Sequence, residues 1–156
     1  MKWLVFSDSH GNVEYMRRAL ELEKPDRVLH LGDVVRDGTR LLALYPELRL
    51  EQVRGNCDHG DGGSPEEREL FFGAHRVWML HGHTYWVKSG TAMVAEEART
   101  RGVEAVLFGH THVPLCDRMG SLWIMNPGTV SGRPRATYGV MEERKGELWC
   151  RTAVIE

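Results

Sequence analysis

A chain of 156 residues, 42% apolar and 27% charged, has the size and composition of one folded domain over 1–156, which excludes wholesale disorder. A net charge of −2 disfavours a broad nucleic-acid face, although an anionic substrate remains compatible with it if cations are bound. Three cysteines without a Cys-x-x-Cys pair exclude a disulfide framework and a thiolate-rich zinc site.

Trp3–Phe6 is a short apolar run, expected as a buried strand, and it stops at Ser7-Asp8-Ser9-His10. Gly11 permits a tight turn, and Asn12 can cap a helix that carries Val13, Met16 and Leu20 and ends by Pro25. Val28–Leu31 is the second strand, stopped by Gly32-Asp33; a short helix over Gly38–Tyr45 follows and ends near Pro46. Leu48–Val53 then runs into Gly55-Asn56-Cys57-Asp58, and Asp58–Pro65, rich in Gly and Asp, reads as a loop.

Leu70–Phe72 and Val77–Leu80 flank Gly73-Ala74-His75, which predicts an antiparallel hairpin with His75 facing solvent. Its second strand ends in His81-Gly82-His83. Ser89 is the expected cap of a helix through Arg101, with Gly102 as its stop and Met93, Val94 and Ala98 on or near one face. Val103–Phe108 is another buried strand, ending at Gly109-His110-Thr111-His112. Beyond Pro114 the strands Leu122–Met125, Thr137–Met141 and Leu148–Ile155 read as a meander, so the whole is one mixed α/β domain. No apolar stretch reaches the about 18–20 residues of a membrane span, and Lys2–Phe6 is no export signal, so the expected location is the cytoplasm.

The motifs that end these runs hold carboxylates, imidazoles and an amide, the donors that divalent manganese, iron, nickel or zinc accept. If the strand ends converge, Asp8, His10, Asp33, Asn56, His81, His110 and His112 can hold two ions side by side. Asp33 suits the bridge, since a carboxylate can give one oxygen to each ion. Two ions about 3.5–4 Å apart polarise a phosphoryl oxygen and generate hydroxide from water, which is the chemistry of phosphoester hydrolysis. A lone Asp-x-His is more often a turn feature, and it is the ordered recurrence that outweighs a purely structural origin.

Asp8-Ser9-His10, Gly32-Asp33, Gly55-Asn56-Cys57-Asp58, His81-Gly82-His83, Gly109-His110-Thr111-His112 and Asn126-Pro127-Gly128-Thr129, in this order, resemble the calcineurin-like metallophosphoesterases, particularly their small bacterial and archaeal phosphodiesterase branch. The resemblance implies a four-layer α/β/β/α sandwich with two mixed sheets and metals at strand ends. It implies one ion on Asp8, His10, Asp33 and His112 and the other on Asp33, Asn56, His81 and His110, with a bridging hydroxide as nucleophile. Larger members have a histidine where this chain has Cys57, which disfavours a protein phosphatase here. His83, or less so His59, can supply the proton that the missing histidine would give. The catalytic assignment is therefore Asp33, Asn56 and His83, with two divalent ions, manganese first and iron, nickel or zinc as alternatives.

The expected substrate is a small-molecule phosphodiester or activated phosphoester. Alternatives are a metal-binding interaction scaffold with weak hydrolysis and a nuclease, the latter not favoured by the charge. A membrane partner is not expected, and a homo-oligomer is left open. His30 is expected to be a packed strand residue, Asn126 to support the metal loops, and Trp86 to form a pocket wall.

Overall fold

The computed structural model describes residues 1–60 and 63–156, so residues 61 and 62 of the predicted Asp58–Pro65 loop lie outside the described residues. In chain order the elements are β1 (Lys2–Phe6), α1 (Glu14–Glu23), β2 (Arg27–His30), α2 (Val35–Leu44), β3 (Leu50–Gln52), β4 (Glu67–Phe72) and β5 (His75–Leu80). There follow α3 (Ala92–Arg101), β6 (Ala105–Leu107), β7 (Leu115–Met119), β8 (Leu122–Asn126), β9 (Ala136–Arg144) and β10 (Glu147–Ile155).

One sheet runs β10-β9-β1-β2-β3 and the other β4-β5-β6-β8-β7. Each sheet is mixed, with a parallel core (β1-β2-β3 and β5-β6-β8); antiparallel strands border it at one edge of the first sheet (β9, β10) and at both edges of the second (β4, β7). Side chains alternate between two interiors. Trp3, Val5, Val77, Met79 and Leu107 fill the space between the sheets, while Leu4 and Phe6 face α1 and α2, and Trp78, Leu80 and Val106 face α3. Strands covered on both sides have no polar face, which explains their continuous apolar runs. Each fully buried aliphatic or aromatic side chain contributes about 1.5–3 kcal/mol. Trp3 meets Phe72 edge-on at 5.0 Å between ring centroids, joining the two sheets. The layers are therefore α/β/β/α, as the family resemblance implied.

The parallel strands all deliver their carboxyl ends to one region. Asp8 follows β1, Asp33 follows β2, Asn56 follows β3, His81 follows β5 and His110 follows β6. Ligands in open α/β sheets bind beyond such carboxyl ends.

Several local expectations need correction. Helix α2 starts at Val35, not Gly38, because the Asp58 carboxylate accepts the N–H groups of Asp33, Val34 and Val35 at 2.9, 2.8 and 2.9 Å. A cap supplied from another loop leaves no local sequence signal. Helix α3 starts at Ala92 and not at Ser89, since two 3-10 turns, His83–Tyr85 and Val87–Ser89, precede it. Met93 is exposed, and Ala95 joins Val94 and Ala98 on the buried face instead. The C-terminal strands are not one meander: β7 and β8 pair in the second sheet, β9 and β10 in the first. Strand β7 was not foreseen, since all five of its residues are exposed at a sheet edge and carry no apolar alternation. His75 does not face solvent. It opens β5, is buried, and places its nitrogens 2.7 Å from Glu104 and 3.5 Å from Glu143, carboxylates that draw it inward.

Candidate metal centre

The backbone marks the site before any side chain does. Asp8, His10, Asp33, His110 and His112 have φ between 44° and 69°, and they are five of the nine non-glycine residues with positive φ among the described residues. That conformation costs on the order of 1 kcal/mol or more for a residue with a Cβ, and persists only where the surroundings enforce it. Here they do. Asp8 donates its N–H to Gly32 O at 3.0 Å, and its carbonyl accepts the Thr129 hydroxyl at 2.8 Å. Two glycines leave room for the carboxylates: a Cβ at Gly55 would collide with Asp33 Oδ1, and one at Gly109 with Ser7 Oγ and Asp8 Oδ2.

Two groups of potential ligand atoms meet at Asp8. Asp8, His10 and His112 form one and Asp8, Asp33 and His81 the other, with the atoms of each group within 4.8 Å of one another. Oδ1 of Asp8 lies 3.1 Å from His112 Nε2 and 3.9 Å from Nε2 of both His10 and His81. His81 Nε2 is 3.5 Å from Asp33 Oδ1 and 3.2 Å from His110 Nδ1. The residue common to the two groups is Asp8. Asp33 belongs to one of them. Asn56 adjoins the cluster through the chain, for the next residue, Cys57, donates its N–H to Asp33 Oδ1 at 2.9 Å.

The deeper group is closed and the other open: Asp8, Asp33 and His81 are buried, His10 and His112 exposed. His81 sets its Nδ1 2.8 Å from Leu31 O, and that contact assigns the proton to Nδ1 and leaves the Nε2 lone pair turned to the carboxylates. Burial works against the charge of Asp33, but facing His81 and the Cys57 N–H outweigh it and hold its carboxyl below the usual range. His110 is lowered by burial and then by His81, which keeps its ring neutral and able to donate a lone pair. His83 is lowered by burial, then by His81. Its ring is 5.5 Å from His81 and 6.1 Å from His110, and its buried Nδ1 has no partner among the described residues.

The donor set fits divalent cations on one observation in particular. Oδ2 of Asp8 accepts from Ser7 Oγ and from the His110 N–H, while Oδ1, also buried, accepts no hydrogen bond. A buried carboxylate oxygen without a donor costs free energy that a cation would recover. Imidazole and carboxylate donors, with no thiolate among them, are those of a dinuclear divalent-metal centre.

The supports of this cluster were less legible than its His/Asp members. Asp58 also accepts the Gly55 N–H at 2.7 Å, so one carboxylate ties the loops after β2 and β3 together. Asp37 is buried and accepts from Ser9 Oγ and the Gly11 N–H, both at 2.7 Å. A lone acidic residue just before the predicted Gly38–Tyr45 helix was the only sign of it. His30 is packed as expected: Nδ1 accepts from Gly32 N–H at 3.1 Å, which assigns the proton to Nε2, 3.0 Å from Ser9 Oγ. Asn126 supports the loop after β6, donating to Gly109 O at 3.0 Å and Thr111 Oγ1 at 2.8 Å. Trp86 is 67% exposed with φ 54°, and His59 is exposed.

Comparison with known proteins agrees with this geometry. The sequence profile of the calcineurin-like phosphoesterase superfamily domain matches residues 1–146. The probable metallophosphoesterase YsnB of Bacillus subtilis is 30% identical over 132 residues, 83% of this chain and 75% of its own length. Phosphodiesterase YfcE of Escherichia coli K12 is 28% identical over 170 residues, covering 91% of this chain and 88% of that one. In structure, wild-type Vps29 of Entamoeba histolytica complexed with zinc superposes with a TM-score of 0.80 at 20% identity, covering 99% of each chain.

Proposed function

This chain belongs to the calcineurin-like phosphoesterase superfamily, and on that premise we propose that it hydrolyses small-molecule phosphodiesters and activated phosphoesters with a pair of divalent ions. The observation that carries the reading is the junction of two His/Asp groups at Asp8, a dimetal-binding cluster at the carboxyl ends of both parallel cores.

The proposed ligands are Asp8, His10, Asp33 and His112 for one ion and Asp33, Asn56, His81 and His110 for the other, with Asp33 as the bridge. Manganese is the working choice for this oxygen and nitrogen set, with iron, nickel and zinc accepted by the same donors. When bound, the ions supply positive charge that polarises phosphoryl oxygens and acidifies water. The chain supplies orientation. Leu31 O fixes the tautomer of His81, and Asp58 and the Cys57 N–H hold the Asp33 loop. His83 is the proposed proton handler beside His81 and His110. Its lowered basicity favours the neutral ring, a setting suited to leaving groups that need little protonation.

We read residues 1–156 as one domain of the cytoplasm, a setting supported by three free cysteines among the described residues. Among the described residues, no helix is long and apolar enough to cross a membrane. The test is turnover of bis(p-nitrophenyl) phosphate by chelated and metal-reconstituted protein, with Asp33→Asn beside wild type. Reconstitution should restore activity, and the variant should lose about 100-fold or more together with metal. Undiminished turnover in reconstituted Asp33→Asn would overturn the bridge. Inactivity with manganese, iron, nickel and zinc alike would favour the interaction-scaffold alternative.

A further inference from the structure

A groove of about 710 Å³ opens beside His10, lined in part by Gly11, Arg40, Leu44, Ser131 and Arg133. It joins the metal cluster through His10, which groups with Asp8 and His112. Its two cations come from separate elements, Arg40 from α2 and Arg133 from the loop between β8 and β9.

Both guanidiniums keep nitrogens open to a ligand. Arg40 Nη1 lies 3.4 Å from Gly11 O and 3.4 Å from Asp37 Oδ1, and Asp37's other oxygen is taken by Ser9 and Gly11. Buried Asp37 therefore tethers one nitrogen of the guanidinium, and the group has no other partner among the described residues. Arg133 pairs with no carboxylate among the described residues. Glu14, also at the groove, is occupied by Arg17 at 3.0 Å and by Arg18 at 3.6 Å. Leu44, 58% exposed, gives the same groove an apolar strip.

Resting on the hydrolase reading above, we propose that this groove is a subsite for a second, terminal phosphate on the substrate. The preferred diester then carries an organic group along Leu44 and a phosphate between Arg40 and Arg133. Guanidinium forks match a terminal phosphate dianion in charge and geometry. A cavity of this size accommodates a nucleoside-sized group. One tethered and one unpaired guanidinium beside one end of the cluster suit one phosphate, whereas a nucleic-acid strand needs a basic track along its backbone.

The test pairs p-nitrophenyl thymidine 5′-phosphate with the same ester bearing a 3′-phosphate, using the metal-reconstituted protein. The 3′-phosphate should raise kcat/KM by about tenfold or more through KM, the gain that charge-assisted hydrogen bonds supply. In Arg40→Ala and Arg133→Ala that ratio should fall towards one. A parallel binding titration compares thymidine 3′,5′-bisphosphate with the 5′-monophosphate and expects the same arginine-dependent preference. Equal ratios in wild type and both variants overturn the subsite, as does affinity for oligothymidylates that rises with each added phosphate. If neither ester is hydrolysed while the bisphosphate still binds tighter through Arg40 and Arg133, the subsite stands and the hydrolase reading fails.

Discussion

Nε2 of His112 lies 3.1 Å from Oδ1 of Asp8, yet that oxygen, fully buried, accepts no hydrogen bond. The two atoms approach closely without the geometry of a hydrogen bond. Without a cation, the arrangement is destabilising, and this separates what helps the metal-loaded protein from what helps the metal-free one.

Asp8→Asn should therefore have opposite effects in the two states. An amide at this position removes the buried charge and can offer an N–H to the imidazoles. The metal-free variant should match or exceed metal-free wild type by about 1–3 kcal/mol. It should also lose the rise in melting temperature that manganese gives wild type. Melting curves with chelator and with added ion check both, and a metal-free variant well below wild type would contradict the account of Asp8.

Gly109→Ala isolates space from backbone conformation. Gly109 is not among the glycines with positive φ, so an alanine is allowed there by its dihedrals. The cost comes from collision with Ser7 Oγ and Asp8 Oδ2. A loss of about 1–3 kcal/mol in urea denaturation is expected, as for other overpacked interior sites. Metal affinity should fall by about tenfold or more, the range seen when groups supporting a ligand are displaced. Unchanged affinity would mean that Asp8 moves freely without consequence for binding.

His30 predicts an acid-side loss of stability. Burial lowers its pKa from 6.5 to about 4, against the opposing charges of Asp8, Asp37 and Asp58. The folded state thus refuses a proton that the unfolded chain accepts. This contribution is complete above pH 6.5 and is lost as pH falls towards 4, by about 3 kcal/mol in all. Urea midpoints of chelated protein across this interval should fall more steeply for wild type than for His30→Gln. Parallel profiles would show that His30 does not carry the effect.

Cys57 should favour diesters over monoesters. Burial, then Asp33, pushes its thiol up, so it stays protonated at neutral pH and offers no cationic donor to a leaving group. Aryl diesters need little such help. Matched aryl diester and monoester turnover across pH should show the diester ahead, and Cys57→His should raise turnover of monoesters with poor leaving groups. A consistently large monoester preference in wild type would sink the prediction.

The sequence exposed the strands and the His/Asp cluster at their ends for a shared reason. A parallel strand covered on both faces must be apolar throughout, so the polar residues at its end stand out, as Asp8 does after Phe6 and His81 after Leu80. Supports made across loops left no such trace. Asp58 caps α2 from 23 residues away, and Thr129 holds Asp8 from 121 residues away. Edge strand β7 was hidden for the opposite reason, since a strand with no buried face carries no apolar period. Even the shared position of Asp8 follows from which of its oxygens Ser7 and the His110 N–H occupy, a matter of geometry and not of residue type.

Strand β1 lies between β2 and β9, so the strand that ends in Asp8 is flanked by a segment beginning only at Ala136. During synthesis at about 5–20 residues per second, Asp8 and His10 precede that neighbour by on the order of ten seconds. These early candidate ligands therefore leave the ribosome as a flexible acidic and imidazole-bearing peptide. Any ion they meet then is ranked by intrinsic affinity, which favours copper and zinc over manganese. Selection by shape needs the folded site, in which β9 pairs with β1, so the ions present during those seconds bear on which ion the finished protein must exclude.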